Sequence, residues 1–210
     1  MADLRWDEVR RYLEESEHEL LAELSEARGF LHQPVPSGWT IAQIVRHLVR
    51  TEQVMYPLWS LVPKLGRFPR LVETMDSANS ALWRLMGMRT IEKASAKLSA
   101  FNAVEGRYRT PVFLRPLSGA GGYDELIEWR QRVRDRSLRA IASVDENTLN
   151  TLNWSHPLVG SYTLMEFAQF LGIHERHHLP QIQRIARMYS LLDRPGWRSE
   201  VASRSGNLKI

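Results

Sequence analysis

The chain of 210 residues contains no cysteine. Disulfides, thiolate metal sites and a cysteine nucleophile are therefore excluded, and any chemistry must come from other groups. Lysine is scarce as well: 24 of the 28 basic residues are arginine. No segment offers the roughly 18 consecutive apolar residues that a membrane span requires. The N-terminal stretch MADLRWDEVRRYLEESEHEL lacks the apolar core of a secretory signal, so a cytoplasmic address is expected. Strand-like alternation, internal repeats and hairpin turns are also missing from the pattern.

What is present is ordinary for a folded domain. Apolar residues make up 43% and charged residues 25%, which excludes disordered and low-complexity classes. A formal net charge of +4 could point to nucleic acid. In EWRQRVRDRSLRA (128–140), however, the arginines alternate with acids as on one exposed helix face, and no basic–aromatic motif accompanies them. Nucleic acid is not an expected partner.

Val9, Leu13, Leu20 and Leu24 recur at steps of three, four or seven within residues 4–28, which predicts an amphipathic helix ended by Gly29. PVPSGWT (34–40) supplies turn residues, and T-I-A-Q then forms a capping box with Thr40 as N-cap and Gln43 reaching back. The second helix carries Ile41, Ile44, Val45, Leu48 and Met55, and Pro57 should kink or end its first part. Over residues 63–122 the signals weaken to one helix at 77–101, followed by the Pro- and Gly-rich loop PVFLRPLSGAGG. A third helix is predicted over Tyr123–Ser143, and WSHPLVGSY (154–162) reads as a loop. A second capping box, Thr163 to Glu166, opens a final helix reaching about Leu192. Four main helices predict an all-α, up-down four-helix bundle with a long, partly helical insertion between helices two and three. Residues 1–193 then form a single domain, and 194–210 a polar tail.

The inward face of the last helix reads Leu164, Phe167, Leu171, His174, His178, Gln181, Ile185, Met188. An apolar stripe thus turns polar in its middle. Buried imidazoles or amides without partners cost a few kcal/mol each, and a bound cation would compensate. His174 and His178 lie one turn apart, about 6 Å at Cβ, so both rings can reach one metal. An isolated histidine on such a face more often hydrogen-bonds a carbonyl; the pair, with Gln181 beside it, favours the metal. His177 lies off this stripe and is expected to face solvent.

HERHH (174–178) also contains H-E-x-x-H, the helix signature of zinc peptidases. Such enzymes take a third ligand downstream, where no histidine follows His178 and only Glu200, in the polar tail, could serve. Upstream, His47 sits at the margin of the second helix's apolar stripe and can join the pair. A three-histidine site is the better reading, with the peptidase disfavoured.

GWTIAQIVRHLVRTE (38–52) and HPLVGSYTLMEFAQFLGIHERHHLPQI (156–182) resemble the DinB/YfiT superfamily of metal-binding four-helix bundles. In the first stretch Trp39, His47 and Glu52 fall on the family pattern; in the second, His174, His178 and Gln181 do. The resemblance implies a divalent metal, nickel or zinc, held by one histidine of the second helix and two of the fourth. Pro180, two residues after a ligand, departs from a regular helix and could bend it beside the metal. Relatives of this kind imply an enzyme that transfers a low-molecular-weight thiol to an electrophilic small molecule. A metal-dependent hydrolase and a non-catalytic metal-binding or dimerisation module are the alternatives. In that scheme loops at 107–122 and 154–162 shape the pocket, His156 closes it or caps a helix, and Glu52 orients a ligand or pairs with an arginine. Gln181 holds a ligand or water. Glu175 is a weak candidate for a general base, and a solvated surface acid is its more ordinary role. The expected partners are a small-molecule substrate and, through the bundle, a second copy of the chain.

Overall fold

The computed structural model describes residues 4–35, 38–65, 70, 72–77, 121–156 and 160–192. Four long helices dominate them: α1 (Trp6–Glu26), α2 (Ile41–Ser60), α4 (Tyr123–Ala142) and α6 (Leu164–Leu192). Shorter pieces are the helices α3 (Val62–Leu65) and α5 (Glu146–Thr151), the strands β1 (Asn153–His156) and β2 (Gly160–Thr163), and a 3₁₀ turn at Arg28–Phe30.

The local chemistry that starts each helix is visible. Thr40 Oγ1 accepts from the Gln43 N–H at 3.2 Å while Gln43 Oε1 accepts from the Thr40 N–H at 2.9 Å, so two donors that the helix leaves unpaired are satisfied. Thr163 and Glu166 repeat the arrangement at the head of α6, at 3.1 and 2.7 Å. Asp145 caps α5 through the Thr148 N–H. Helix α2 contains Pro57 and closes three residues later at Ser60. Helix α6 passes through Pro180 without interruption.

Residues 153–163, read from sequence as a loop, form an antiparallel hairpin instead. Trp154 faces Tyr162 and Asn153 faces Thr163 in its register. Strands of four residues are too short to show a period, and aromatic and β-branched side chains supply the propensity. Asp76 anchors the hairpin by accepting from the Ser155 N–H at 2.7 Å and its hydroxyl at 2.8 Å. The helix expected at 77–101 and the loop at 107–122 lie almost entirely outside the described residues, as does the tail from 193 onward.

Pairs of touching residues fix the helix directions. Between α1 and α6 the contacts Ser16–Glu175, Glu19–Arg176 and Glu23–Gln183 advance together, so these helices run parallel. Between α2 and α4, Glu52 meets Arg130 and Tyr56 meets Arg136, again parallel. In contrast, α6 runs against α2, with His47 on His174 and Trp59 on Leu164, and α4 runs against α1, with Arg28 on Asp124 and Glu17 on Arg130. The order is therefore up-down-down-up rather than the simple alternation expected from the sequence. A parallel neighbour needs a long crossover, and residues 66–122 between α3 and α4 are long enough to supply it.

Gly172 lies at a close approach of α1 to α6. A Cβ there would lie 2.7 Å from the Tyr12 ring and 3.0 Å from Ser16 Oγ, which no larger residue tolerates without displacement.

The core has two apolar blocks. One gathers Leu13, Trp59, Ile141, Leu164, Phe167 and Leu171; the other gathers Leu20, Leu24, Ile44, Leu48, Leu126 and Ile185. Along every long helix the sequence passes from one block to the other through polar residues that are themselves buried: Ser16 on α1, His47 and Glu52 on α2, Arg130 and Arg134 on α4, and His174, Glu175 and His178 on α6. This polar middle layer is the setting of the candidate site.

Candidate metal centre

Buried polar atoms favour partners inside the protein, and those of the middle layer gather in two groups. The first is made of His47, His174 and His178, which are 6%, 8% and 9% exposed. His47 Nε2 and His178 Nε2 each lie 3.2 Å from His174 Nε2. One donor atom from each residue lies within 4.8 Å of the others, and among the described residues no further His, Asp or Glu joins the group. Helix geometry explains the convergence: His174 and His178 are one turn apart on α6, while antiparallel α2 brings His47 opposite them.

The surroundings set the state of these rings. The His178 Nδ1–H donates to Gln181 Oε1 at 3.1 Å, which leaves Nε2 as a lone pair aimed at its two neighbours. Burial, reinforced by nearby His47, pushes the His178 pKa down to about 3, against a smaller upward pull from Gln181. The ring is neutral near pH 7 and so a competent ligand. Trp39 packs at 4.9 Å from the His47 ring, and Phe170 stacks on His174 with centroids 5.6 Å apart. His177 is exposed, as expected for a residue off the stripe.

A neutral imidazole whose Nδ1 carries the proton presents an Nε2 lone pair, as the His178 ring does beside Gln181. A cation among the three nitrogens would accept such lone pairs. At metal–nitrogen distances of about 2.1 Å, neighbouring ligands subtending 90–110° sit about 3.0–3.4 Å apart, and the observed 3.2 Å falls inside that range. The donor set therefore fits a divalent metal ion, and three protein donors leave at least one coordination position for another group.

The second group is built on Arg130 and Arg134, 0% and 1% exposed. Arg130 Nη1 lies 2.9 Å from Glu52 Oε2, and Arg134 Nη2 lies 3.2 Å from the same oxygen and 3.0 Å from Glu175 Oε1. Arg130 Nη2 also donates to Glu175 Oε1, and the Ser16 hydroxyl donates to Glu175 Oε2 at 2.7 Å. Burial would raise the Glu175 pKa, but Arg130, Arg134 and the Ser16 hydrogen bond together hold it below the usual value. Glu17 stands 3.8 Å from Arg130; there burial outweighs the two arginines and the pKa rises.

Two expectations are corrected here. Glu175 is not a solvated surface acid: it is 2% exposed, about 100° around α6 from His174, and its carboxylate is occupied by arginines and Ser16. The same contacts engage the carboxylate that a peptidase of the H-E-x-x-H type would use as its base. Nor do the arginines of 128–140 lie on one exposed face, since Arg130 and Arg134 point inward. Sequence held the signal: Leu126, Arg130, Val133, Arg134, Ser137 and Ile141 follow one helical stripe, and all are buried. Glu52 pairs with arginine, one of its two expected roles. His156 pairs with Gly160 at the hairpin end, but its side chain lies outside the described residues, as does Glu200.

A family model for the DinB superfamily matches residues 5–182. The chain belongs to the DinB superfamily. That match covers α1, α2, α4 and α6 as far as residue 182, and with them all three histidines, so the DinB assignment and the histidine group rest on the same stretch of chain. No curated protein and no solved structure matches the chain. Among the described residues, no helix of this DinB chain is long and apolar enough to cross a membrane.

Proposed function

We propose that this protein is a divalent-metal-dependent enzyme that transfers a low-molecular-weight thiol to an electrophilic small molecule. The observation that carries the reading is the convergence of His47, His174 and His178 in a buried layer, with the Nε2 atoms of His47 and His178 each 3.2 Å from that of His174. His47 from α2 and His174 and His178 from α6 would hold the ion, nickel or zinc as the resemblance to the family implies, and the all-nitrogen donor set suits either. When bound, the ion would acidify a coordinated thiol or water at a position the protein leaves open. Gln181 fixes the His178 ring so that Nε2 rather than Nδ1 faces the centre, while Trp39 and Phe170 supply apolar walls that limit water around the imidazoles.

The transferase is favoured over a hydrolase by the fate of Glu175. Hydrolysis requires a proton acceptor near the attacking water, and the carboxylate adjacent to the ligands in sequence is instead held by Arg130, Arg134 and Ser16. A thiol that loses its proton on coordination places less demand on a protein base. The absence of cysteine is compatible, because the thiol arrives as cosubstrate.

The test is incubation of metal-loaded protein with a model electrophile and a panel of small thiols. Conjugate formation that needs both thiol and metal is expected. Product formed equally without thiol would replace the transferase with a hydrolase, and a fully metallated but inert protein would favour a non-catalytic module.

A further inference from the structure

The buried Arg–Glu group has a spatial relation to the histidines that its charge balance alone does not require. Glu52 lies five residues after His47 on α2, and Glu175 follows His174 directly on α6. Both carboxylates converge on the same pair of guanidiniums from α4: Glu52 on Arg130 and Arg134 at 2.9 and 3.2 Å, and Glu175 on Arg134 at 3.0 Å and on Arg130. Ser16 from α1 completes the tie at 2.7 Å from Glu175. Every long helix contributes to the group, and Glu17 of α1 lies 3.8 Å from Arg130, yet the two acids closest to the guanidiniums come from the two helices that carry the histidines.

Buried ion pairs are inefficient as stabilisers. Desolvation of the charges offsets most of their attraction, and apolar side chains of similar volume often serve stability as well or better. What a guanidinium does better than an apolar group is fix direction, since its planar fork accepts carboxylates only along defined axes. A slide of α2 against α6 by one residue would move His47 about 1.5 Å along the bundle, enough to break the donor spacing. The same slide would pull Glu52 and Glu175 apart on Arg130 and Arg134.

We propose that Arg130 and Arg134 are positioning residues for the three-histidine centre: by gripping Glu52 and Glu175 together they hold α2 and α6 in the register that brings His47 to His174 and His178. This inference rests on the metal-site reading above and deepens it. It assigns the arginines no contact with metal or substrate. Their role is preorganisation, a ligand set held ready before the ion arrives.

The experiment compares the full-length chain with two variants by cobalt(II) binding, using the visible absorption of the bound ion as a report on coordination and a competing chromophoric chelator for affinity. In the first variant the group is made apolar at once: Arg130→Met, Arg134→Met, Glu52→Leu and Glu175→Leu. It is expected to keep a cooperative thermal transition in the metal-free state yet bind cobalt at least tenfold more weakly, with an altered spectrum. In the second, Arg134→Lys, the charge stays and the fork is lost. Its metal-free melting temperature should stay within a few degrees of the parent while affinity falls severalfold and the spectrum shifts. Should the quadruple variant fail to fold, Arg134→Lys decides alone. Parental affinity and spectrum in a folded quadruple variant, or in Arg134→Lys, would overturn the proposal and leave the arginines a purely structural role. Failure of the parent chain itself to bind cobalt would instead remove the metal-site reading, and this inference with it.

Discussion

The Arg130–Arg134 group carries its own counter-charges, Glu52 and Glu175, each within hydrogen-bonding reach of a guanidinium. The histidine group beside it in the same layer has three bases whose Nε2 atoms face one another. Both groups meet the cost of placing polar atoms between two apolar blocks. The first pairs opposite charges within the chain, although Arg130 Nε, Arg134 Nε and Glu52 Oε1 make no hydrogen bond among the described residues; the second gathers three imidazole donors that could share one cation. Paired opposite charges in one and converging donors of one kind in the other, under the same burial and on the same helices, distinguish an ion-pair cluster from a candidate ligand site. A burial figure alone would not do so: Glu175 is more deeply buried than His174, yet Glu175 belongs to the ion-paired group.

The sharpest way to break the comparison is to unbalance the ion-paired side. Arg130→Met leaves two buried carboxylates sharing one guanidinium, and should cost about 3–5 kcal/mol of stability, read from urea or thermal unfolding. A loss well under 1 kcal/mol would mean that the group is hydrated and its charges weakly coupled.

The histidine side can be probed by pH. His178 has a folded pKa of about 3 against an ordinary 6.5. Between these values the unfolded chain binds more protons than the folded one, so stability falls as pH falls, and above about pH 7 this group contributes no slope. Metal-free protein should lose about 3 kcal/mol from this residue between pH 7 and pH 4. Holding Glu175 charged acts in the same direction below its ordinary value, whereas the raised pKa of Glu17 acts in the opposite one. His178→Phe should flatten the slope between pH 7 and pH 5; an unchanged slope would contradict the assignment of a neutral, buried ring.

A smaller effect sharpens the link between tautomer and site. Gln181→Ala removes the acceptor of the His178 Nδ1–H and should weaken metal binding about 10–100-fold, measured by chelator competition, with little change in the melting temperature of the metal-free chain. Smallest of all is a site-independent control. Thr163→Ala breaks the capping box of α6, should cost about 1 kcal/mol, and should leave metal affinity unchanged if helix stability and ligand geometry are separable.

Much of this was legible in the residues. The capping boxes at Thr40 and Thr163 located the starts of α2 and α6, and the stripe from Leu164 to Met188 exposed His174 and His178 as polar intrusions. Motif spacing then drew in His47, which alone would have passed for an edge histidine. The hairpin was not legible, because four-residue strands carry no readable period. Helix direction was not either, since sequence order says nothing about which way a long crossover returns the chain. The inward arginines were missed for a different reason. Arginine is so seldom fully buried that a run rich in it reads as surface, although Arg130 and Arg134 occupy the stripe of Leu126 and Ile141. Glu175 was misjudged with them, because its partners lie on two other helices.

The central claim is that imidazoles from two distant segments complete their coordination with one inorganic ion. Metal content of the chain purified under metal-replete conditions, compared with that of His47→Ala, tests it most directly. One tightly held divalent ion per parent chain, and loss of that ion in His47→Ala as severe as in His174→Ala, is the predicted result. An ion that survives His47→Ala but is lost in Glu200→Ala would contradict the account and return the chain to the H-E-x-x-H peptidase pattern.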